Sequence, residues 1–254
     1  MSQKSQRVKL TIEYDGTNFY GWQRQGEVRS TQECVEDAIE RFLQQKVVVF
    51  VAGRTDAGVH AYGQVAHFDF INSRRYSASK IMIAINYFLQ PEPVSIVNVE
   101  FVGDDFHARF SVKLKSYIYK IVNRYSQLAI EKNHAWQVFQ QIDIAKMKDC
   151  ADCLIGHHDF SSFCGPDNQS HTNFRTIQSI KIVKNEDKIE IEFLGKSFLH
   201  NQIRIMVGTM KQIALSKKIP DAKSKMHEII NAKNRSKAGE TAPARGLFLN
   251  KIFY

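Results

Sequence analysis

Val47-Val48-Val49-Phe50-Val51-Ala52-Gly53-Arg54-Thr55-Asp56-Ala57-Gly58-Val59-His60-Ala61, residues 47–61, runs from an apolar stretch into a glycine-flanked loop that holds a single carboxylate. The five apolar residues Val47 to Val51 predict a short buried strand entering the loop. Gln64 to Phe70, rich in β-forming residue types, predicts a second strand leaving it. Asp56 is therefore expected on a strand-loop-strand corner. Gly53 and Gly58 permit a tight turn with close backbone approach, and Arg54 beside the acid favours its ionised form. Such an arrangement presents a nucleophile or a base. The structural alternative is a glycine-rich turn carrying a surface Asp-Arg pair.

Outward from this corner, Val8, Leu10, Ile12 and Tyr14 alternate with polar residues and predict a half-buried strand that ends at Asp15-Gly16. Ser30 and Glu33 form a capping box ahead of a helix over about 31–44. A second helix is expected over 77–89, stopped by Pro91, and a strand over 94–101. From Phe106 the order of elements begins again. The pattern predicts a strand over 117–123, a helix over 143–154 closed by Gly156, and strands over 177–183 and 188–193 joined by a polar turn. Leu199, Ile203, Met206, Val207, Met210 and Ala214 form the apolar stripe of a long helix, with basic Lys217-Lys218 at its end. A short helix over 223–230 and a strand over 247–253 complete the pattern. Strands mixed with helices, without strict alternation, predict an α+β protein of two similar halves, residues 1–104 and 105–254.

Composition narrows the partners. The 254 residues carry a net charge of +9 from dispersed Lys and Arg, interleaved with 17 Phe and 9 Tyr, which favours a polyanion over a small neutral substrate. No stretch approaches the roughly 18 apolar residues of a membrane span, and the first nine residues lack an apolar signal-type core, so a soluble, cytoplasmic protein is expected. The four cysteines are too few and too scattered for a disulfide framework. Cys150-x-x-Cys153 with His157 and His158 invites a zinc reading, but no second Cys-x-x-Cys exists, and both cysteines fall inside an amphipathic helical pattern. Buried thiols are expected there.

Other chemistries find no support. Asp104-Asp105 stands without a phosphate loop or a converging set of carboxylates, and neither a Gly-x-Ser-x-Gly elbow nor a Gly-x-Gly-x-x-Gly fingerprint occurs. Four further stretches hold residues able to act with Asp56. Tyr14 to Gln23 is either a hairpin turn with aromatic packing or, with Arg24, a support for unpaired bases and RNA backbone. His107 and Arg109 in Phe106-His107-Ala108-Arg109-Phe110 form a buried pair or a binding element. Tyr117 and Tyr119 lie on one strand, and Tyr119 is expected to face away from Tyr117. Arg204 lies within a turn of an apolar stripe and needs an anionic partner, for which Asp56 is a candidate.

Read together and in order, these stretches resemble the TruA-type tRNA pseudouridine synthases. The matching motifs run from Tyr-Asp-Gly-Thr-x-Phe-x-Gly-Trp-Gln at 14–23 to Thr-Ala-Pro-x-x-Gly-Leu-x-Leu at 241–249. Between them lie the Asp56 loop, Phe106 to Ser111, Tyr117-x-Tyr119, Gly156-x-His158-Asp159-Phe160-Ser161-Ser162-Phe163 and Phe198-Leu199-His200-Asn201-x-x-Arg204. The resemblance implies a mixed, mainly antiparallel sheet built from two similar halves with helices on its outer face. It also implies a homodimer, no metal or organic cofactor, and isomerisation of uridine to pseudouridine at positions 38 to 40 in the anticodon stem-loop of tRNA. Carried over by position, it makes Asp56 the catalytic carboxylate, Tyr117 the aromatic at the target base and Arg204 the ion-pair partner of Asp56. Arg54, with Arg24, His60, His107 and Arg109, would contact RNA. Lys115-Ser116 stands where the family usually has arginine before the tyrosine, and Gln202-Ile203 replaces the usual Met-Val before Arg204. A non-catalytic RNA-binding protein on the same scaffold is the alternative.

Overall fold

The structure, a computed structural model, describes residues 5–71, 74–166 and 170–254. By compactness the chain divides into two units, Met1–Lys113 with Phe248–Tyr254, and Leu114–Leu247.

In the first unit the alternation of Val8, Leu10, Ile12 and Tyr14 places all four in the core. Their strand β1 (Ser5–Tyr14) pairs antiparallel with β3 (His60–Ile71) on one side and with β4 (Val94–Val102) on the other. The two-residue β2 (Phe50–Val51) pairs antiparallel with β3, opposite His67 and Ala66. The strand expected over 47–51 is thus shorter than its apolar run, and Val48 and Phe50 are exposed. Helix α1 (Thr31–Leu43) starts where Ser30 Oγ accepts from the Glu33 amide at 3.3 Å, and Gln44 ends it in the left-handed region. Helix α2 (Ala78–Leu89) is capped in the same way by Ser77. The two helices pack on each other, and α2 packs on β4 through a face that buries Ile81, Ile85 and Leu89.

The division between units falls after Lys113 and not at the expected 104/105, because the segment from Asp104 onward is tied to the first unit. Arg7 Nη1 donates to Asp104 O at 2.5 Å and to Phe106 O at 2.9 Å. The Ala108 amide donates to His67 Nδ1 at 3.1 Å, and Tyr254 Oη donates to Ala108 O at 2.8 Å. The last strand, β10 (Leu247–Phe253), returns to this unit, pairing Phe248 and Leu249 in parallel with His60 and Ala61 of β3. Sequence order had placed it in the other half.

The second unit is built on β5 (Leu114–Asn123), which runs parallel to β6 (Trp136–Val138) and antiparallel to β9 (Lys188–Gly195). The sheet continues antiparallel through β8 (Phe174–Asn185) to β7 (Gly156–Asp159). In each unit the strand pairings are therefore mixed and mainly antiparallel, and with the helices the protein is α+β. Helix α3 (Ile144–Leu154), capped by Asp143, packs against β8 and against α4 (Gln202–Leu215) and α5 (Ala222–Ala232). Cys150 and Cys153 lie on its buried face, where their thiols meet the carbonyls of Ala222, Asp149 and Lys223, and burial pushes the Cys150 thiol up to about 12. Lys217 and Lys218 lie beyond the end of α4, so its last turn holds no basic residue.

His67 gives the first unit a pH dependence. It is 2 % exposed, and burial, reinforced by His107 and Arg7, lowers its pKa from 6.5 to about 4. Between these two values the unfolded chain binds the proton and the folded one does not, so stability falls as pH drops through that window. A shift of this size corresponds to at most about 3 kcal/mol. The variant His67→Asn keeps an acceptor for the Ala108 amide without titrating. Denaturant melts of both proteins from pH 7 to pH 4 should show the wild type losing stability that the variant retains, and parallel curves would remove His67 as the cause.

Candidate active site

The loop that carries Asp56 is anchored to β3 at its start. The Ala52 amide donates to Val65 O at 2.8 Å, and Gln64 Nε2 donates to Gly53 O at 2.8 Å, which pins the loop's start to β3. Inside it the Val59 amide donates to Asp56 O at 3.2 Å, closing a turn around the acid, and Gly58 supplies the positive φ of 75° that the turn requires. Thr55 and Val59 are buried while Asp56 between them is half-buried, so the turn lifts the carboxylate out of the packed layer.

A second stretch, residues 14–22, clamps this turn from above. The Trp22 amide donates to Thr55 O at 3.1 Å, and the Gly58 amide donates to Phe19 O at 3.2 Å. Tyr14 Oη shares a 2.7 Å hydrogen bond with Thr55 Oγ1, and burial pushes the Tyr14 phenol up to about 12, which keeps it neutral. Two glycines permit the contact. A Cβ on Gly16 would collide with Val59 O, and one on Gly21, whose φ is 88°, would lie 2.6 Å from Thr55 O. These residues were missed as loop supports from sequence; the signal was two glycines five apart in an aromatic stretch, each needing a backbone neighbour.

The aromatics of that stretch are mostly core. Trp22 is fully buried, Phe19 is 4 % exposed, and Tyr14 packs at 6.0 Å from Trp22, leaving Tyr20 as the ring open to solvent. The packing alternative therefore holds for Tyr14, Phe19 and Trp22. Arg24 is exposed and forms surface pairs with Glu36 and Asp37. The expectation that His60 contacts RNA is corrected by its burial. It is 1 % exposed, its ring stacks on Phe248 at 4.6 Å, and its Nδ1 accepts from the Gly16 amide at 3.0 Å. His60 supports the turn at Asp15-Gly16, and Arg54 in the same loop is exposed.

His107 and Arg109 belong to a different cluster of the first unit. His107 Nδ1 accepts from the Arg109 amide at 3.1 Å, and the His107 ring meets His67 at 4.7 Å and Phe110 at 4.4 Å. Burial, with Arg7 and Arg109 near by, lowers the His107 pKa, so the ring is neutral at pH 7. Arg109 and Phe110 are exposed.

In the second unit Tyr117 sits on β5 opposite Phe193 and packs edge-on against Phe198 at 5.4 Å. Residues two apart on a strand share a face, which overturns the expectation that Tyr119 points away from Tyr117. Partners distinguish them. Tyr119 is fully buried, donates to Pro243 O at 2.8 Å and lies against Gly246, where a Cβ would come within 2.7 Å of its ring. Arg204 stands in the first turn of α4. Its Nε donates to Ala242 O at 2.8 Å, its Nη1 donates to Asn201 Oδ1 at 2.7 Å, and its own carbonyl accepts from the Ala242 amide at 3.1 Å. Gly208, one turn on, leaves no room for a Cβ beneath Glu240 O, so the segment 239–243 lies directly on the helix. Among the described residues of the second unit these two elements offer a phenol and a guanidinium held by built contacts, groups suited to proton transfer and to stabilising negative charge.

The clamp makes a measurable demand. Gly21→Ala adds left-handed strain and a backbone collision, an overpacking cost of about 1–3 kcal/mol, or a fall in Tm of roughly 2–12 °C. Hydrogen exchange at the Trp22 and Gly58 amides should rise in the same variant. Tyr14→Phe, which leaves buried Thr55 Oγ1 without its partner, should cost about 1–3 kcal/mol. Unchanged exchange at Gly58 in Gly21→Ala would show that residues 14–22 do not hold the loop.

Comparison with known proteins gives the family. A family described as "tRNA pseudouridine synthase" matches residues 10–111 and 150–254. "tRNA pseudouridine synthase A" of Ehrlichia canis (strain Jake) is 47 % identical over 249 residues, 98 % of this chain and 100 % of that protein. Proteins of the same name from Wolbachia pipientis wMel and Paramagnetospirillum magneticum (strain ATCC 700264 / AMB-1) are 47 % and 43 % identical, each over 98 % of this chain and over 100 % and 95 % of their own lengths. With the family model spanning most of the chain and relatives aligned from end to end, this chain belongs to the tRNA pseudouridine synthase family.

Proposed function

We propose that this protein isomerises uridine to pseudouridine at positions 38, 39 and 40 of the tRNA anticodon stem-loop, working as a homodimer in the cytoplasm. The observation that carries the reading is the half-buried carboxylate of Asp56, raised on a turn that hydrogen bonds from residues 14–22 and from β3 hold in place. Membership of the family supplies the reaction class, and tRNA is the substrate that the relatives' names state.

The reaction breaks the bond between C1′ and N1, turns the uracil and joins C5 to C1′. The C5 proton is lost and N1 gains one, so the product is an isomer. One acid is enough for this: Asp56 either attacks C1′ or removes a ribose proton. Tyr117 is the aromatic at the target base and helps to take the C5 proton, and Arg204 balances the charge of Asp56. Arg54, Arg24, His107 and Arg109 contact the RNA. Because the target base starts in a stack, extrusion costs about a few kcal/mol, offset by phosphate contacts from the basic surface.

Release of tritium from tRNA labelled at uridine C5 tests the assignment. Asp56→Asn should bind tRNA with the wild-type dependence on salt, since it keeps the phosphate contacts, and should release no tritium, since an amide is neither nucleophile nor base. Turnover by this variant at more than a trace of the wild-type rate would end the role of Asp56. Tyr117→Phe should retain binding while losing most of the rate, whereas a full rate would show that the phenol takes no part. Sedimentation at assay concentration checks the dimer, which a fully active monomer would exclude.

A further inference from the structure

Asn201 immediately precedes α4 and is the residue from which an N-terminal side-chain cap is expected. It makes no such cap. Its carboxamide oxygen instead accepts from Arg204 Nη1 at 2.7 Å, three residues on. The backbone there is unusual as well: φ is 59° and ψ is 5°, a left-handed conformation that asparagine tolerates better than most residues with a Cβ. The turn before the helix is closed by its neighbours: Gln202 Oε1 accepts from the Leu199 amide at 2.7 Å, and the Gln202 amide donates to Leu199 O at 3.1 Å, without the Asn201 side chain.

The surroundings hold Asn201 in this pose. A Cβ on Gly165 would come within 2.7 Å of His200 Nδ1 and 3.1 Å of Asn201 Nδ2, and the Gly165 amide donates to His200 O at 2.9 Å, so the 200–201 turn rests on bare backbone. On the other side Arg204 Nε is held by Ala242 O at 2.8 Å, and the next carbonyl, Pro243 O, is held by Tyr119 Oη. A guanidinium is planar, and two acceptors on different nitrogens fix both its position and the tilt of its plane.

We infer that Asn201 is a positioning residue for the reaction: through its left-handed backbone and its carboxamide oxygen it sets the plane in which Arg204 presents its guanidinium. The inference rests on the proposed role of Arg204. It predicts a loss confined to the chemical step, because the carboxamide is occupied with Arg204 on its oxygen and His200 on its nitrogen.

Three variants test it. Asn201→Gly suits the left-handed backbone at least as well as asparagine and removes the acceptor together with the 3.2 Å contact of Asn201 Nδ2 to His200 Nε2, a contact that Asn201→Asp loses as well. It should keep Tm within a few degrees, keep KM for tRNA within about twofold and lower kcat about 10- to 100-fold, the scale of one charge-assisted hydrogen bond. Asn201→Asp, which retains an acceptor at the same position, should be faster than Asn201→Gly. Arg204→Lys, which cannot present two donors in a plane, should be slow by itself, and adding Asn201→Gly to it should cost little more. A folded Asn201→Gly enzyme with wild-type kcat beside a crippled Arg204→Lys overturns the positioning role alone. An Asn201→Asp enzyme as slow as Asn201→Gly overturns the acceptor as its basis. An Arg204→Lys enzyme at the wild-type rate overturns the reading of Arg204 and, with it, the inference.

Discussion

Two main-chain hydrogen bonds, from the Trp22 amide to Thr55 O and from the Gly58 amide to Phe19 O, tie the turn that carries Asp56 to a second loop of the first unit. A carboxylate on a free glycine-rich loop would sample many positions and lose orientation in each encounter. Here the glycines serve the opposite purpose. Gly16 and Gly21 bring one backbone against another, and Gly58 closes the turn, so residues usually associated with freedom produce a rigid presentation. Around them Tyr14, Phe19, Trp22 and His60 are buried, and their packing supplies the stiffness that hydrogen bonds alone would not.

The second unit solves the same problem for a cation. Arg204 stands on α4, a helix buried on most sides, where an unpartnered guanidinium would be costly. Ala242 O and Asn201 Oδ1 meet that demand, while Gly208 lets the segment 239–243 lie against the helix and Tyr119 anchors the next carbonyl. The motif Thr-Ala-Pro at 241–243 is thus explained by backbone carbonyls that hold side chains, more than by its own side chains. The acid and the cation are each supported by main chain, which substitutions on the surface leave in place.

Charge is distributed less simply than the net +9 suggests. Arg24 and Arg29 share Glu33, Glu36, Asp37 and Glu92, and Arg7 is paired with Asp69. Exposed pairs of this kind contribute little stability, but they neutralise part of the positive surface near the start of α1. A polyanion therefore meets a patterned surface, and composition alone shows only the sign of the excess.

Periodicity and caps were enough to place most elements. The helix starts expected at about 31, 77 and 143 fall at or within one residue of Thr31, Ala78 and Ile144, and the alternation from Val8 to Tyr14 gives β1 its buried face. The Asp56 loop, its glycines and the ordered motifs were also legible, because each is a local feature that a few neighbouring residues encode. The short β6 and β7 were not, since three or four residues carry too little pattern to separate strand from loop. Nor did the sequence reveal that β10 joins the first unit, that His60 is buried, or that Asn201 serves Arg204 in place of capping its helix. Those facts depend on partners far apart along the chain: Tyr14 and Thr55 are 41 residues apart, Arg204 and Ala242 are 38, and Tyr119 and Pro243 are 124. Residue type and spacing determine which groups need a partner. Only the tertiary structure decides which partner arrives, because that depends on the closure of long loops and the packing of side chains from separate elements.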